Sequence, residues 1–227
     1  AGDYLKEHLN TKIAVVEATE CPTLLNNGYG EHNIQGIGDK HVPLIHNVMN
    51  TDFVVGISDQ ATNNLNLMFN TDTGKEYLIL KKGFDSNFVN RLPEFGFSTI
   101  ANILASIKLA QYMKLGADDA IITVATDGAD LYLSELEKTK EDFAGIYDET
   151  ACAEIYGQYL KGISTDNTLE LNQREKERIF NLGYYTWVEQ QGIDINEFEK
   201  RRHQTFWNEH HNYMLSLDNK IKEFNSM

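Results

Sequence analysis

Residues 53–59 read Phe-Val-Val-Gly-Ile-Ser-Asp, and the apolar part of this stretch decides the fold class. It is continuous rather than alternating and rich in β-branched side chains, as parallel strands covered on both faces are. Residues 13–16 and residues 120–125 have the same pattern. The three runs therefore predict the strands of a buried, mostly parallel sheet.

A helical pattern separates the second and third runs. Ile100, Ile103, Leu104 and Ile107 follow the spacing i, i+3, i+4 and i+7, which gives one apolar face to a helix over residues 100–115. Helices that alternate with strands indicate right-handed crossovers over a sheet. We therefore predict an α/β fold with an open, mostly parallel sheet flanked by helices.

The later part of the sequence has a different character. It contains charged, tyrosine-rich helical stretches at residues 138–160, 172–190 and 195–224, and no strand pattern. No linker rich in Pro, Gly or Ser precedes it. We predict an α/β part, residues 1–135, on which a carboxyl-terminal helical extension, residues 136–227, packs.

Charge and cysteine content exclude several classes of function. The formal net charge is −14, from 34 acidic and 20 basic residues. Such a surface repels nucleic acid and anionic membranes, so we expect neither as a partner. No apolar run approaches the roughly 18 residues of a membrane helix. Cys21 and Cys152 form neither a disulfide framework nor a zinc motif, which favours a reducing, cytoplasmic location.

The first candidate functional segment is a glycine loop. Gly36 and Gly38 allow a tight turn and a close approach of the backbone to a ligand. A charged trio that can contact a substrate follows at once: Asp39, Lys40 and His41. An ordinary turn between a strand and a helix is the alternative interpretation, since no complete dinucleotide-binding or Walker pattern is present.

Two further segments are candidates by position. Ser98 opens the helix before residue 100, where its hydroxyl either caps its own helix, as Thr99 can also do, or bonds to a ligand. Thr126 and Asp127 follow residues 120–125, and ligands of open α/β sheets bind beyond the carboxyl ends of strands. A routine turn is the alternative there. No nucleophile motif and no metal-ligand spacing is present, so we predict neither a catalytic side chain nor a metal site.

Four segments resemble one enzyme family in order and in approximate spacing. Residues 34–43 (IQGIGDKHVP) are similar to the I-Q-G-I-G-x-x-x-[IV]-P stretch of cysteine synthases, and residues 53–59 to the V-x-V-S-D that follows it. Residues 96–102 (GFSTIAN) resemble G-I-S-S-G-A-N, and residues 125–132 (ATDGADLY) resemble P-[DS]-S-x-R-[NY]-Y. Over about residues 1–135 the chain thus resembles the cysteine-synthase-like, fold-type II enzymes that use pyridoxal phosphate.

The resemblance implies roles for the candidate residues. Ser98 matches the serine whose hydroxyl faces the pyridine nitrogen of pyridoxal phosphate, and a neutral partner there favours β-elimination and β-replacement. Gly36 and Gly38 match backbone that lines the cofactor cleft, and Thr126 and Asp127 match the turn beside the pyridine ring. The resemblance therefore implies an amino-acid substrate and a lyase or transferase of amino-acid metabolism.

Other parts of the chain depart from the family. Asp39, Lys40 and His41 replace small and aromatic residues; they are candidate substrate-binding residues, and the resemblance does not name the substrate. The tail resembles, more loosely, the subgroup called pyridoxal-phosphate-dependent protein, beta subunit. Neither Lys40 nor Lys108 matches the motif of the Schiff-base lysine. That lysine and the phosphate loop lie, in the family, before the position that matches Ala1.

The resemblance therefore predicts the carboxyl-terminal portion of an enzyme, cut after the phosphate loop and inactive alone. Its partner is expected to be the missing amino-terminal half or another subunit, and the full-length form is expected to be a homodimer. A non-catalytic subunit or interaction domain that pairs with a separate chain is the alternative. An unrelated α/β nucleotide-binding domain is a third interpretation, and it requires a glycine-rich loop that the sequence lacks.

Overall fold

The computed structural model describes residues 2–226, apart from the side chain of residue 215. The chain divides into two compact units. We call Val15–Lys40 with Val54–Leu169 the middle unit, and Ala1–Ala14, His41–Phe53 and Glu170–Met227 the terminal unit. These units are contact groups of the folded chain. The division into residues 1–135 and 136–227 stays a prediction.

Helices make up most of the described chain. The α-helices are α1 (Gly2–Leu9), α2 (Thr23–Asn26), α3 (Asp59–Asn70), α4 (Asp72–Glu76), α5 (Ser86–Arg91), α6 (Phe97–Met113), α7 (Leu133–Asp142), α8 (Glu149–Ile155), α9 (Gln173–Tyr184), α10 (Ile195–Glu199) and α11 (Gln204–Asn225). Short π-helical segments are Tyr77–Lys81, Tyr156–Lys161 and Tyr185–Gln190. Short 3₁₀ segments are Val48–Asn50, Leu92–Glu94, Ala129–Tyr132 and Lys200–Arg202. Among the described residues, no helix combines the length and the apolar character that a bilayer crossing requires.

The strands form one mixed sheet in the order β1 (Ala14–Ala18), β2 (Phe53–Ile57) and β3 (Thr168–Glu170). β1 and β2 run parallel, since the Thr19 N–H donates to the Ile57 carbonyl at 2.9 Å near the end of both strands. β3 runs antiparallel to β2, and the Gly56 N–H donates to the Asn167 carbonyl at 2.8 Å. The α/β class, the flanking helices and the carboxyl-terminal helical stretch are confirmed.

Two expectations about strands are wrong. The chain after residue 135 contains β3, which the sequence did not predict because it is only three residues long and partly polar. Residues 120–125 have no regular structure, although their apolar pattern predicts a buried strand. Ile122 is 78% exposed and Val124 is 66% exposed there.

The helix α6 connects the sheet to the candidate site. It begins after Gly96, and no side chain caps it, so the expected capping by Ser98 or Thr99 is wrong. Further along, the buried Lys108 ammonium donates to the Asp166 carboxylate and to the Asp166 carbonyl, both at 2.8 Å. A buried charge needs such partners, so this ion pair fixes the loop before β3 against α6.

Candidate functional site

Four side chains meet at the amino-terminal end of α6. The Ser98 and Thr126 hydroxyl oxygens lie 2.6 Å apart, and the Thr126 hydroxyl is 3.0 Å from the Asp127 carboxylate oxygen Oδ1. The Tyr132 hydroxyl donates to the other oxygen of Asp127. We call Ser98, Thr126, Asp127 and Tyr132 the hydroxyl cluster. The structure thus brings together three of the residues that the sequence singled out.

Close backbone packing holds this cluster in place. The Gly96 N–H donates to the Asp127 carbonyl at 2.8 Å, and the Thr126 N–H donates to the Thr99 hydroxyl at 3.1 Å. A Cβ atom at Gly96 would lie 2.6 Å from the Asp127 carboxylate and 2.9 Å from its carbonyl oxygen. Only glycine therefore allows the turn to approach the start of α6 so closely.

Tyr132 is a neutral donor within the cluster. Burial, together with the hydrogen bond to the Asp127 carboxylate, raises the pKa of Tyr132 to about 12. Its ring stacks on Phe97, with the ring centroids 4.7 Å apart. The phenol therefore stays protonated at neutral pH and occupies one carboxylate oxygen of Asp127.

The cluster has two hydrogen-bond arrangements, because Thr126 has one hydroxyl hydrogen and two acceptors within reach. If Thr126 donates to Asp127, Ser98 donates to Thr126. If Thr126 donates to Ser98, the Ser98 hydrogen is free to bond elsewhere. Ser98 is buried while Thr126 is exposed, so the pair reaches from the helix start to the surface. The site can therefore offer a ligand a neutral hydroxyl as donor or as acceptor.

The glycine loop adopts the conformation that its residues favour. Gly36 and Gly38 have φ angles of +80° and +89°, in the region that glycine adopts most readily. A Cβ at Gly38 would lie 2.9 Å from the His32 ring, whereas a Cβ at Gly36 would meet nothing within 4 Å. Among the described residues, no hydrogen bond joins Gly36 or Gly38 to the hydroxyl cluster. Their role beside a cofactor stays a prediction.

The charged trio follows the loop on the surface. Asp39 and Lys40 are exposed in the middle unit, and the Asp39 carbonyl accepts a hydrogen bond from the Thr23 hydroxyl at 2.6 Å. His41 is half-buried and belongs to the terminal unit. The expected contact of Asp39, Lys40 and His41 with a substrate stays a prediction.

The sequence interpretation assigned no role to Asp59, although this residue ends the quoted stretch 53–59. Its carboxylate accepts the backbone N–H groups of Asn33 at 2.6 Å and of Ile34 at 3.1 Å. Burial raises the pKa of Asp59, and the two N–H donors oppose that increase. The carboxylate also borders a polar cavity of about 500 Å³ within the middle unit. The sequence could have indicated this role of Asp59, because an Asp at a helix start after a buried strand commonly binds backbone N–H groups.

Among the described residues, no group of three or more His, Cys, Asp or Glu side chains is arranged to hold a metal ion. No protein-family model matches the chain. Cysteine synthase B of Campylobacter jejuni is 34% identical to it over 134 residues. Over this stretch, the chain is similar to a cysteine synthase.

The match has a limited extent, since it covers 59% of this chain and 38% of that relative. The chain thus spans well under two thirds of the relative's length. The similarity supports a cysteine-synthase-like family of pyridoxal-phosphate enzymes, as the four motifs indicated. The position of the chain in the carboxyl-terminal half, and the beta-subunit subgroup, stay predictions.

Proposed function

We propose that this chain forms the pyridine-side wall of the cofactor cleft in a pyridoxal-phosphate-dependent amino-acid lyase or β-replacement enzyme. In this proposal it is the carboxyl-terminal portion of a cytoplasmic, homodimeric enzyme and lacks the Schiff-base lysine. The observation that carries the proposal is the pair of hydroxyls at the start of α6, Ser98 and Thr126, 2.6 Å apart. The 34% identity to a cysteine synthase supports it.

The hydroxyl cluster fits the nitrogen of a pyridine ring. When Thr126 donates to Ser98, the Ser98 hydroxyl can donate to an unprotonated ring nitrogen. In that arrangement the Asp127 carboxylate lies one hydroxyl further away from the nitrogen, and it keeps the hydrogen bond from Tyr132 but not the one from Thr126. A carboxylate directly beside the nitrogen would favour its protonation, whereas the neutral Ser98 hydroxyl would leave the nitrogen of a bound ring unprotonated.

The remaining site residues complete the wall. Pyridoxal phosphate, when bound, acts as the electron sink that stabilises negative charge on an amino acid. Ser98 would hold its ring nitrogen, and the backbone of Gly36 and Gly38 would border the cleft. Asp39 and Lys40 are exposed, and in this proposal they contact the substrate. The chain would supply binding and orientation, and no covalent attachment.

Titration of the chain with pyridoxal phosphate tests this proposal. We expect the amide resonances of Ser98 and Thr126 to shift, and Ser98→Ala to weaken binding about tenfold, since one hydrogen bond is lost. Ser106→Ala is the matched control. Ser106 lies on the same helix, and its hydroxyl donates to the Asn102 carbonyl at 2.8 Å. Because this hydroxyl is not part of the hydroxyl cluster, removing it should not alter binding.

Reduction with borohydride then distinguishes bound from attached cofactor. We expect no single lysine to carry a stoichiometric mass increase after reduction. Stoichiometric attachment to one lysine would contradict the role of a wall without a covalent catalyst. Equal affinity of wild type and Ser98→Ala would contradict the role of Ser98.

The alternative, a non-catalytic subunit that pairs with a separate chain, is supported by a different observation. The apolar residues 120–125 are exposed next to Thr126, and such a segment favours association. The intact mass of the protein in its source cells separates the two proposals. A mass near 25.9 kDa favours the separate subunit, and a mass about twice as large favours the enzyme portion.

A further inference from the structure

The segment before the glycine loop is tied to the start of α3. The Asp59 carboxylate accepts the N–H groups of Asn33 at 2.6 Å and Ile34 at 3.1 Å. The Asp59 N–H in turn donates to the Glu20 carboxylate at 3.0 Å. Hydrogen bonds to a charged group are stronger than neutral ones, so this contact fixes the backbone two residues before Gly36.

The Asn33 side chain extends this tie to a second helix. Its amide Nδ2 donates to the Asn63 side-chain oxygen at 2.9 Å and to the Glu135 carboxylate at 3.1 Å. Glu135 also pairs with Lys138 at 2.6 Å, and its side chain is only 14% exposed. Asn33 therefore joins α3 and α7 through one side chain.

The beginning of α7 also reaches the hydroxyl cluster. Tyr132 immediately precedes α7 and donates its hydroxyl to Asp127, while Glu135 lies in the first turn of α7. The same short stretch of chain thus contacts the segment before the glycine loop through Asn33 and the Thr126–Asp127 turn through Tyr132. A rigid helix start can transmit the position of one contact to the other.

We propose that Asn33 and Glu135 are positioning residues that hold the Gly36–Gly38 loop in register with the hydroxyl cluster. The loop needs such support, because Gly36 and Gly38 have positive φ angles and glycine has the largest backbone entropy to lose on ordering. That this positioning matters for binding a cofactor rests on the proposed function. The hydrogen bonds of Asn33 and Glu135 are observed independently of it.

Glu135→Ala tests the proposal, and Glu137→Ala is its matched control. Both glutamates lie on α7 and form an ion pair with a lysine three residues later. Glu135 contacts Asn33, whereas the side chain of Glu137 is 72% exposed. Each variant therefore removes one ion pair with a lysine three residues later, and only Glu135→Ala also removes the hydrogen bond to Asn33.

Amide hydrogen exchange in the full chain is the first measurement. We expect Glu135→Ala to accelerate exchange about tenfold or more at the Asn33, Ile34 and Ile37 amides, since a hydrogen bond to a charge is lost. The Val55 amide of β2 should keep its wild-type rate, which excludes global destabilisation. Glu135→Gln retains a carbonyl acceptor and should restore slow exchange.

The proposal is overturned if Glu135→Ala accelerates the loop amides no more than Glu137→Ala does, or accelerates the β2 amide equally. Pyridoxal phosphate titration is the second measurement. We expect weaker binding to Glu135→Ala than to Glu137→Ala. If the wild-type chain binds no pyridoxal phosphate, the proposed function fails while the exchange result still decides whether Asn33 and Glu135 position the loop.

Discussion

The strand β2 and residues 120–125 have a similar apolar, β-branched pattern and opposite environments. Both are short, continuous apolar runs rich in β-branched side chains. In β2, Val54 and Val55 are fully buried between β1 and β3. In the other segment, Ile122 and Val124 are largely exposed and no regular structure forms. The comparison shows that an apolar run becomes a strand only where neighbouring strands satisfy its backbone and cover its side chains.

The largest expected effect separates two isoleucines of these segments. Ile57 of β2 is 2% exposed, whereas Ile122 is 78% exposed. Ile57→Ala should lower the free energy of unfolding by about 2–5 kcal/mol, because it leaves a cavity in the core. Ile122→Ala should change it by less than about 0.5 kcal/mol. Urea denaturation followed by circular dichroism measures both.

A loss of stability in Ile122→Ala that equals the loss in Ile57→Ala would contradict the comparison. It would mean that residues 120–125 are covered in solution. Measurement over a range of protein concentrations then shows whether association provides that cover, since association makes the unfolding midpoint depend on concentration.

A smaller effect on stability is expected from His46, in the segment of the terminal unit that precedes β2. The Thr51 hydroxyl donates to the Asn47 carbonyl at 3.1 Å and lies 2.9 Å from the His46 ring nitrogen Nε2. Neutral His46 can therefore donate to Thr51. Burial lowers the pKa of His46 from 6.5 to about 4, against the opposing charge of Asp3.

This shift predicts the sign of a pH dependence. Between pH 6.5 and about 4 the unfolded chain binds a proton at His46 and the folded chain does not. Acid therefore favours unfolding, and the stability contributed by neutral His46 is complete above pH 6.5 and is lost as the pH falls toward about 4. His46→Gln keeps a donor for Thr51, so its stability should fall less over this interval. Equal pH profiles for both proteins would refute the assignment.

The variant Ile122→Lys is expected to have the smallest effect on folding stability. A charge on an exposed apolar segment should leave the free energy of unfolding within about 0.5 kcal/mol of wild type. It should also weaken any self-association through residues 120–125, because a charge opposes the burial of this apolar segment in an interface. Sedimentation velocity measures the association. Unchanged association would show that another surface is responsible.

The sequence predicted those elements whose pattern and surroundings agree. The strands β1 and β2 and the helix α6 lie within a few residues of their expected places. The antiparallel β3 was missed, because three partly polar residues have no pattern of their own and pair only through the edge of β2. Residues 120–125 have the apolar pattern of a strand but form none, because no neighbouring strand of the described chain pairs with them. The local sequence does not reveal whether a pairing strand is present.

The candidate site was predictable to a similar degree. Position beyond a strand and at a helix start indicated Ser98, Thr126 and Asp127, and these three lie together. Spacing did not indicate that Tyr132 completes the cluster or that Asn33 and Glu135 make contact 102 positions apart. Such contacts depend on how α7 packs against α3, and nothing in the local sequence specifies that packing.

The ion pair of the buried Lys108 side chain with Asp166 has a practical consequence for chemical labelling. An amine-reactive reagent reaches the exposed lysines of the surface, whereas the Lys108 side chain is 8% exposed and its ammonium is bound to Asp166. Its modification therefore requires the middle unit to open. In a mass-spectrometric footprint, the reaction rate of the Lys108 amine would report how often α6 separates from the loop before β3, without any substitution in the protein.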